Sequence, residues 1–351
     1  MKREIITAVT FSFLLVFLQS VLLRAQDDKK IQVAVIGFYN LENLFDTIDD
    51  PEKRDEEFLP NGTNKWDTEK YLHKIGNMSK VISKIGKSFT PDGISVLGIS
   101  EIENRAVIED LINTPLLKPF HFRIIHYDSP DRRGVDVAMI YQPKYLEVTE
   151  TKSYRLVIPD MPDFYTRNQL LVSGKLLGED IYFIVVHWPS RYGGEKRSRP
   201  LRNAAAELSR HICDSLLALN PDSKIIVMGD LNDNPTNESI KKIMRAKPDT
   251  VNLAPGDFYN PMYKLYKKGI GSTAWMDTWS LFDETLLSQG LLGNNFETLT
   301  YFTVRIFNKP FMQQKEGRYK GYPYRTFAGG TWMGGYSDHF PVFVVLAREI
   351  K

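Results

Sequence analysis

Short runs rich in valine and isoleucine recur along this chain, and they restrict its fold more than any other feature. They fall at residues 31–39, 94–99, 122–126, 135–141, 170–177, 181–187, 224–228 and 340–346. Each has the length of a strand, and several are apolar at nearly every position instead of every second one. That continuity marks strands covered on both faces. Amphipathic stretches lie between some of them. "TEKYLHKIGNMSKVISKIG" puts Leu72, Ile75, Met78, Ile82 and Ile85 on one helical stripe, with Gly86 placed to end it. "RPLRNAAAELSRHICDSLLALN" reads likewise, with Pro221 just beyond it. Strands are followed in some places by strands and in others by helices. The pattern therefore predicts an α/β fold with mixed sheets, not a purely parallel one. Residues 247–271 read as a long loop or insertion.

The first 25 residues differ in kind. Lys2 and Arg3 lead into an apolar run, and Ala25 precedes a polar stretch, the layout of a secretory signal peptide cleaved after Ala25. An uncleaved membrane anchor is the alternative, but Gln19 and Ser20 interrupt the run. The expectation is an exported protein, periplasmic or secreted, with residues 26–351 as a single domain. It should be a monomer with no stable membrane association once the leader is gone. Cleavage removes three basic residues (Lys2, Arg3, Arg24) and one acidic residue (Glu4), leaving 42 of each sign. A chain of zero net charge is not a globally basic nucleic-acid binder, so any anion must be gripped locally. Cys213 is the single cysteine, which rules out an intramolecular disulfide and multi-thiolate metal sites within one chain.

The unusual polar residues sit where apolar runs stop. "FYNLENLFD" supplies Asn40, "VLGISEIEN" Glu101 and Glu103, and "IVVHWPSR" His187. "IVMGDLNDN" supplies Asp230 and Asn232, and "GYSDHFPVFVVL" Asp338 and His339. Taken singly, each has an ordinary explanation as a turn former, a solvated acid or a structural histidine. Together they suggest one site, because strand ends converging on one edge are where open sheets build ligand sites. Hard oxygen donors of this kind suit magnesium, with manganese or calcium as substitutes. Glu101 is the first choice of ligand, Asn40 stands beside it, and Asp230, Asn232 and Asp338 are further candidates. Glu103 rivals Glu101, since both would share one face of a continuing strand. The six histidines form no HExxH-type pair, which disfavours a zinc hydrolase.

Basic residues crowd after His187: Arg191, Lys196, Arg197, Arg199 and Arg202 against Glu195. Arg191 and Arg197, with Arg133 in "DSPDRRGVDVAMIY", are candidates for gripping substrate phosphate. A solvated helix start is the competing explanation, although basic charge is unhelpful at a helix N-terminus. Trp188 and Tyr192 lie in the same loop and are placed to stack on a base.

The order Asn40, Glu101, His187, "GDLN", Asp283, "SDH" resembles the endonuclease/exonuclease/phosphatase superfamily, the group with a deoxyribonuclease I-like fold. "SEIEN", "HWPSR", "MGDLNDNP", "DTWSLFDETLLS" and "YSDHFPV" carry the resemblance, which spans residues 40–340. It implies a four-layer α/β sandwich of two mixed β-sheets and a divalent-metal-dependent phosphoesterase. An exported endonuclease hydrolysing phosphodiester bonds of nucleic acid is the leading expectation. The resemblance prefers Glu101 to Glu103 as ligand, and it makes Asp283 the partner that orients His339. His339 would then deprotonate water, and His187 would stabilise charge on the phosphoryl group or protonate the leaving oxygen. Asp230 and Asn232 would orient water and a phosphoryl oxygen, with Asp230 as an alternative base. Two other readings stand: a phosphatase or phosphodiesterase for small or lipid phosphate esters, and a catalytically silent phosphate-binding module. The module is the weaker, because Asn40, Glu101, His187, Asp230, Asn232, Asp283, Asp338 and His339 are all present.

Overall fold

The computed structural model describes residues 30–350, so the expected leader lies outside the described residues. The strands, in chain order, are β1 (Lys30–Leu44), β2 (Val96–Ile102), β3 (Arg123–His126), β4 (Asp136–Tyr141), β5 (Leu146–Tyr154) and β6 (Gln169–Leu176). There follow β7 (Glu179–His187), β8 (Ile225–Asp230), β9 (Ala246–Lys247), β10 (Phe258–Tyr259), β11 (Thr273–Trp275) and β12 (Thr278–Ser280). The last are β13 (Asp283–Leu287), β14 (Thr300–Ile306), β15 (Phe327–Ala328), β16 (Thr331–Trp332) and β17 (Val342–Ile350). One sheet has six strands in the order β14-β17-β1-β2-β4-β3, and the other has seven, β5-β6-β7-β8-β13-β10-β9. Both are mixed. β1 runs parallel to β2 and antiparallel to β17, while β8 runs parallel to β7 and antiparallel to β13.

Alternation along each strand assigns its residues to layers. Ala34, Ile36 and Phe38 of β1 and Val342, Val344 and Leu346 of β17 meet Ile181, Phe183, Val185, Ile226 and Met228 of the facing sheet. The opposite faces carry helices. Val35, Tyr39, Leu97 and Ile99 pack under the helices Thr68–Ile82 and Arg105–Ile112. Ile184, Val186, Ile225 and Val227 pack under the helix Glu195–Leu219. The result is the expected four-layer α/β sandwich, and it explains why the central strands are apolar without a break.

Local differences have physical causes. In the helix Thr68–Ile82, capped by the Asp67 side chain on the Lys70 amide, Leu72 is 58% exposed and Lys74 takes a place in the buried stripe. Lys74 is tolerated there because its ammonium reaches the Tyr336 carbonyl at 2.7 Å and the Glu42 carboxylate at 3.8 Å. The helix Glu195–Leu219 begins before the expected stretch, and Pro200 lies inside it. Its first turns are held by Arg199 on Glu195 (2.8 and 2.9 Å) and by Ser198 Oγ on the Gly194 carbonyl (2.8 Å). Residues 247–271 are not wholly irregular: β10 and a short helix, Tyr263–Lys267, interrupt them. Among the described residues no helix is long and apolar enough to cross a membrane.

Candidate active site

The face buried between the sheets turns polar at one end. Even positions carry β1 from Ala34, Ile36 and Phe38 to Asn40, and β8 from Ile226 and Met228 to Asp230. Odd positions carry β7 from Ile181, Phe183 and Val185 to His187. Cross-strand register then sets neighbours, with His187 beside Asp230 in the β7–β8 ladder and Asp283 beside Asp230 in the β8–β13 ladder. Gly229 is required by this packing, since a Cβ there would lie 2.0 Å from the Val186 carbonyl oxygen.

Glu101 arrives differently. By alternation it would join Leu97 and Ile99 under the helices, but it adopts φ +57° where the pairing of β2 with β4 slips by one residue. Such a bulge re-aims a side chain, and the Glu101 carboxylate reaches toward the opposite sheet, its Oε1 3.8 Å from His187 Nε2. The left-handed conformation costs a non-glycine residue about 1–3 kcal/mol, so the surrounding structure must hold it. Part of that hold is the Asn43 amide, which donates to Glu101 Oε2 at 3.0 Å. Glu103, expected to share a face with Glu101, instead accepts from the Asp46 amide at 2.6 Å, and burial pushes its carboxyl up to about 8.

Asn40 donates from Nδ2 to Asp230 Oδ2 at 3.1 Å, and its Oδ1 accepts from the Glu42 amide at 2.9 Å. Asp230 Oδ1 accepts from the Asn232 amide at 2.9 Å. Asn232, with φ +50°, donates its side-chain amide to the Trp188 carbonyl at 3.0 Å. His339 Nδ1 lies 2.7 Å from Asp283 Oδ2, which also accepts from Ser272 Oγ at 2.5 Å. His339 Nε2 faces Asp230 Oδ2 at 3.8 Å, and His187 Nε2 faces the same oxygen at 3.7 Å. These gaps are too long for direct hydrogen bonds. The buried His187 Nδ1 has no hydrogen-bond partner. Such a group costs about 1–3 kcal/mol until something satisfies it.

Electrostatics separate the two histidines. Burial pushes His187 well below its ordinary value, and the nearby Arg167, Arg133 and His339 charges push the same way. Burial acts on His339 similarly, but the Asp283, Asp230 and Asp338 carboxylates outweigh it and hold the imidazole well above its usual range. Burial raises Asp230 to about 6 against the lowering effect of His339.

Two groups of residues within this site have metal-like donors. Asp230, Asp283 and His339 are close enough together to hold an ion, but the hydrogen bond between Asp283 and His339 already occupies their facing atoms. Glu101 Oε1 is different, since the basic groups that face it, His187 Nε2 and Arg133 Nη2, stand 3.8 and 4.0 Å away. Asn40 and Asp338 add further oxygens. Asp338 Oδ2 accepts from Arg325 Nη2 at 3.0 Å, while Oδ1 lies 3.9 Å from His339 Nε2. A carboxylate-and-carboxamide set of this kind fits a hard divalent cation that keeps several waters.

The arginines separate. Arg133 is half exposed and stands at the rim near Glu101. Arg191 departs from expectation: its guanidinium donates to the Asn232 carbonyl (2.8 Å) and Asp233 (3.0 Å) and stacks on Phe282, so it braces the "GDLN" loop instead of facing a substrate phosphate. Arg197 is exposed at the helix start and makes no ion pair among the described residues. Trp188 is buried and Tyr192 is exposed. Arg167 was not foreseeable from spacing. It lies buried between Asp131 (3.1 Å) and the Trp188 carbonyl (2.6 Å), where its charge acts on His187.

Residues 35–348 match the endonuclease/exonuclease/phosphatase family. No curated protein matches the chain. Among solved structures, TDP2 of D. rerio complexed with single-strand DNA product is similar, at 13% identity and a TM-score of 0.53 over 90% of this chain and 99% of that one. A Bacteroides thetaiotaomicron protein of the same family gives 16% identity and 0.53 over 92% and 100%. A mannosyl-6-phosphatase from Bacteroides thetaiotaomicron VPI-5482 gives 15% and 0.53 over 89% and 99%. At these identities the likeness to solved structures is one of fold.

Proposed function

The chain belongs to the endonuclease/exonuclease/phosphatase family, and from that premise we propose that it is a divalent-metal-dependent phosphoesterase that cleaves phosphodiester bonds of nucleic acid. One observation carries the catalytic reading. Glu101, His187 and Asp230, from two sheets, and His339, from the segment before β17, surround a common space at successive separations of 3.8, 3.7 and 3.8 Å without bonding directly to one another. Polar groups that face each other across such gaps are arranged for a group placed between them.

Hydrolysis joins a water oxygen to phosphorus and breaks the bond from phosphorus to the ester oxygen. Asp230, raised to about 6, is ionised near neutrality and basic enough to take the proton that water loses. His339, kept cationic by Asp283, neutralises charge gathering on the phosphoryl oxygens. This prefers the alternative, Asp230 as base, to His339. His187 is neutral and offers a hydrogen bond to a phosphoryl oxygen, and the leaving oxygen takes its proton from solvent. Asn40 and Asn232 fix the Asp230 carboxylate from both sides. A magnesium ion held by Glu101, with Asn40 and Asp338, would supply Lewis-acid neutralisation of the phosphate.

Two results are expected. Supercoiled plasmid should be nicked in magnesium, and EDTA should abolish nicking until magnesium is restored. Intact plasmid with folded protein and metal present would remove duplex DNA as substrate. In addition, kcat/KM should rise with pH through about 6 and then level, because the base works only when ionised. The alkaline fall should come well above the ordinary histidine range, where His339 loses its proton. A rate that falls as pH rises through 6 would overturn Asp230 as base.

A second reading, hydrolysis of small phosphate esters, is favoured by the loop after His187. Arg191 and Arg202 pair with Asp233, and Arg199 pairs with Glu195, so little of that basic run is left to grip a long polyanion. Export through the leader at residues 1–25 belongs to the same proposal and suits a scavenging phosphoesterase.

A further inference from the structure

Beside Asp338 lies a cleft of about 310 Å³. Asp338 is part of its wall, so the cleft adjoins the proposed reaction centre. One side is the tip of the β11–β12 hairpin, with Trp275 66% and Met276 71% exposed. The other is the segment bearing Tyr319 and Tyr322. Asp277 at the hairpin tip ties the two sides together, pairing with Arg318 at 2.5 Å and accepting from the Tyr322 hydroxyl at 3.4 Å. The hairpin base is part of the catalytic framework: Ser272 donates to Asp283, and Thr273 bridges to His339 and donates to the Asp338 carbonyl.

The lining restricts what fits. Three aromatic side chains and two methionines dominate it, and the Arg325 guanidinium is pinned on Asp338. A sugar, with hydroxyls on every edge, would leave most of them unpaired against such walls. A flat ring would gain stacking on Trp275 or Tyr319 and keep its polar edge toward Gln314 and solvent. The volume lies at the small end of ligand pockets, enough for one ring system and too little for paired strands. Trp275 is also unlike Trp66 and Trp188, which are fully enclosed.

Building on the phosphoesterase reading, we infer that this cleft selects esters carrying a planar heteroaromatic ring, a nucleobase, with the phosphate at His339 and the ring between Trp275 and Tyr319. The base belongs either to a free nucleotide or to a single strand.

The test uses the full chain with magnesium and four probes: 5′-AMP, ribose 5-phosphate, a single-stranded hexanucleotide and its abasic counterpart. KM should be about 5- to 100-fold lower for the member of each pair that carries a base, the weight of one stacked base, and Trp275→Ala should erase that preference. A preference in the first pair alone assigns the cleft to nucleotides, and one in the second pair alone assigns it to strands. Hydrolysis without preference for either base-bearing probe overturns the cleft assignment and leaves the phosphoesterase reading standing. If none of the probes is hydrolysed, tryptophan fluorescence decides separately. Quenching by 5′-AMP, absent with ribose 5-phosphate and lost in Trp275→Ala, supports the cleft, and no quenching overturns it.

Discussion

An Asp230→Asn variant should hydrolyse phosphodiesters about 10²- to 10⁴-fold more slowly than the parent chain, the usual weight of a positioned general base. The carboxamide still offers an oxygen to the Asn232 amide but can no longer take a proton from water. Stability should not fall with activity. The folded-state value of Asp230, about 6, lies above its ordinary 3.8, so its ionisation opposes folding. That penalty is absent below about pH 4, grows between about 4 and 6, and is complete above. At pH 7 the neutral asparagine removes it, at the loss of the hydrogen bond from Asn40 Nδ2. Near-normal turnover in the variant would remove Asp230 from the base role.

The largest stability effect should come from Arg202→Met. The Arg202 side chain is completely buried, and its Nε stands 2.7 Å from Asp233 Oδ1, itself 1% exposed. Removing one member of such a pair leaves a buried charge uncompensated, at about 3–5 kcal/mol. The low end applies here, because Arg191 and Ser239 still hold Asp233. Urea denaturation should show a lower midpoint with an unchanged slope. Adding Asp233→Asn should cost less than the two single losses combined, as expected for contacting groups. An unshifted midpoint for Arg202→Met would mean that the pair contributes nothing to the fold.

Apart from the edge strand β3, the strands found in the sequence were largely buried on both faces, because burial writes itself as unbroken Val and Ile. β5 escaped, being an edge strand whose alternating Thr, Glu and Lys look like a solvated loop. β13 escaped because it opens with Asp283 and Glu284, whose burial depends on partners far along the chain: His339 for one and Asn260 for the other. Glu101 and Glu103 could not be separated by alternation, since a bulge at Glu101 breaks the alternation itself. The basic run after His187 was visible, but its neutralisation by Asp233 was not. Charge composition records the arginines and says nothing of which carboxylate folds against them. Arg167 left no local trace, because its meeting with Asp131 and the Trp188 carbonyl is wholly tertiary.

The apolar layer between the sheets has a mechanical consequence. Asn40 and Glu101 stand on strands of one sheet, while His187, Asp230 and Asp283 stand on the other. Between these halves the side chains of Phe38, Phe183 and Met228 act as the jaws' spacer in a caliper. Dense interiors transmit displacement instead of absorbing it, so the thickness of greasy filling well away from the proposed reaction centre gauges how far Glu101 is held from Asp230.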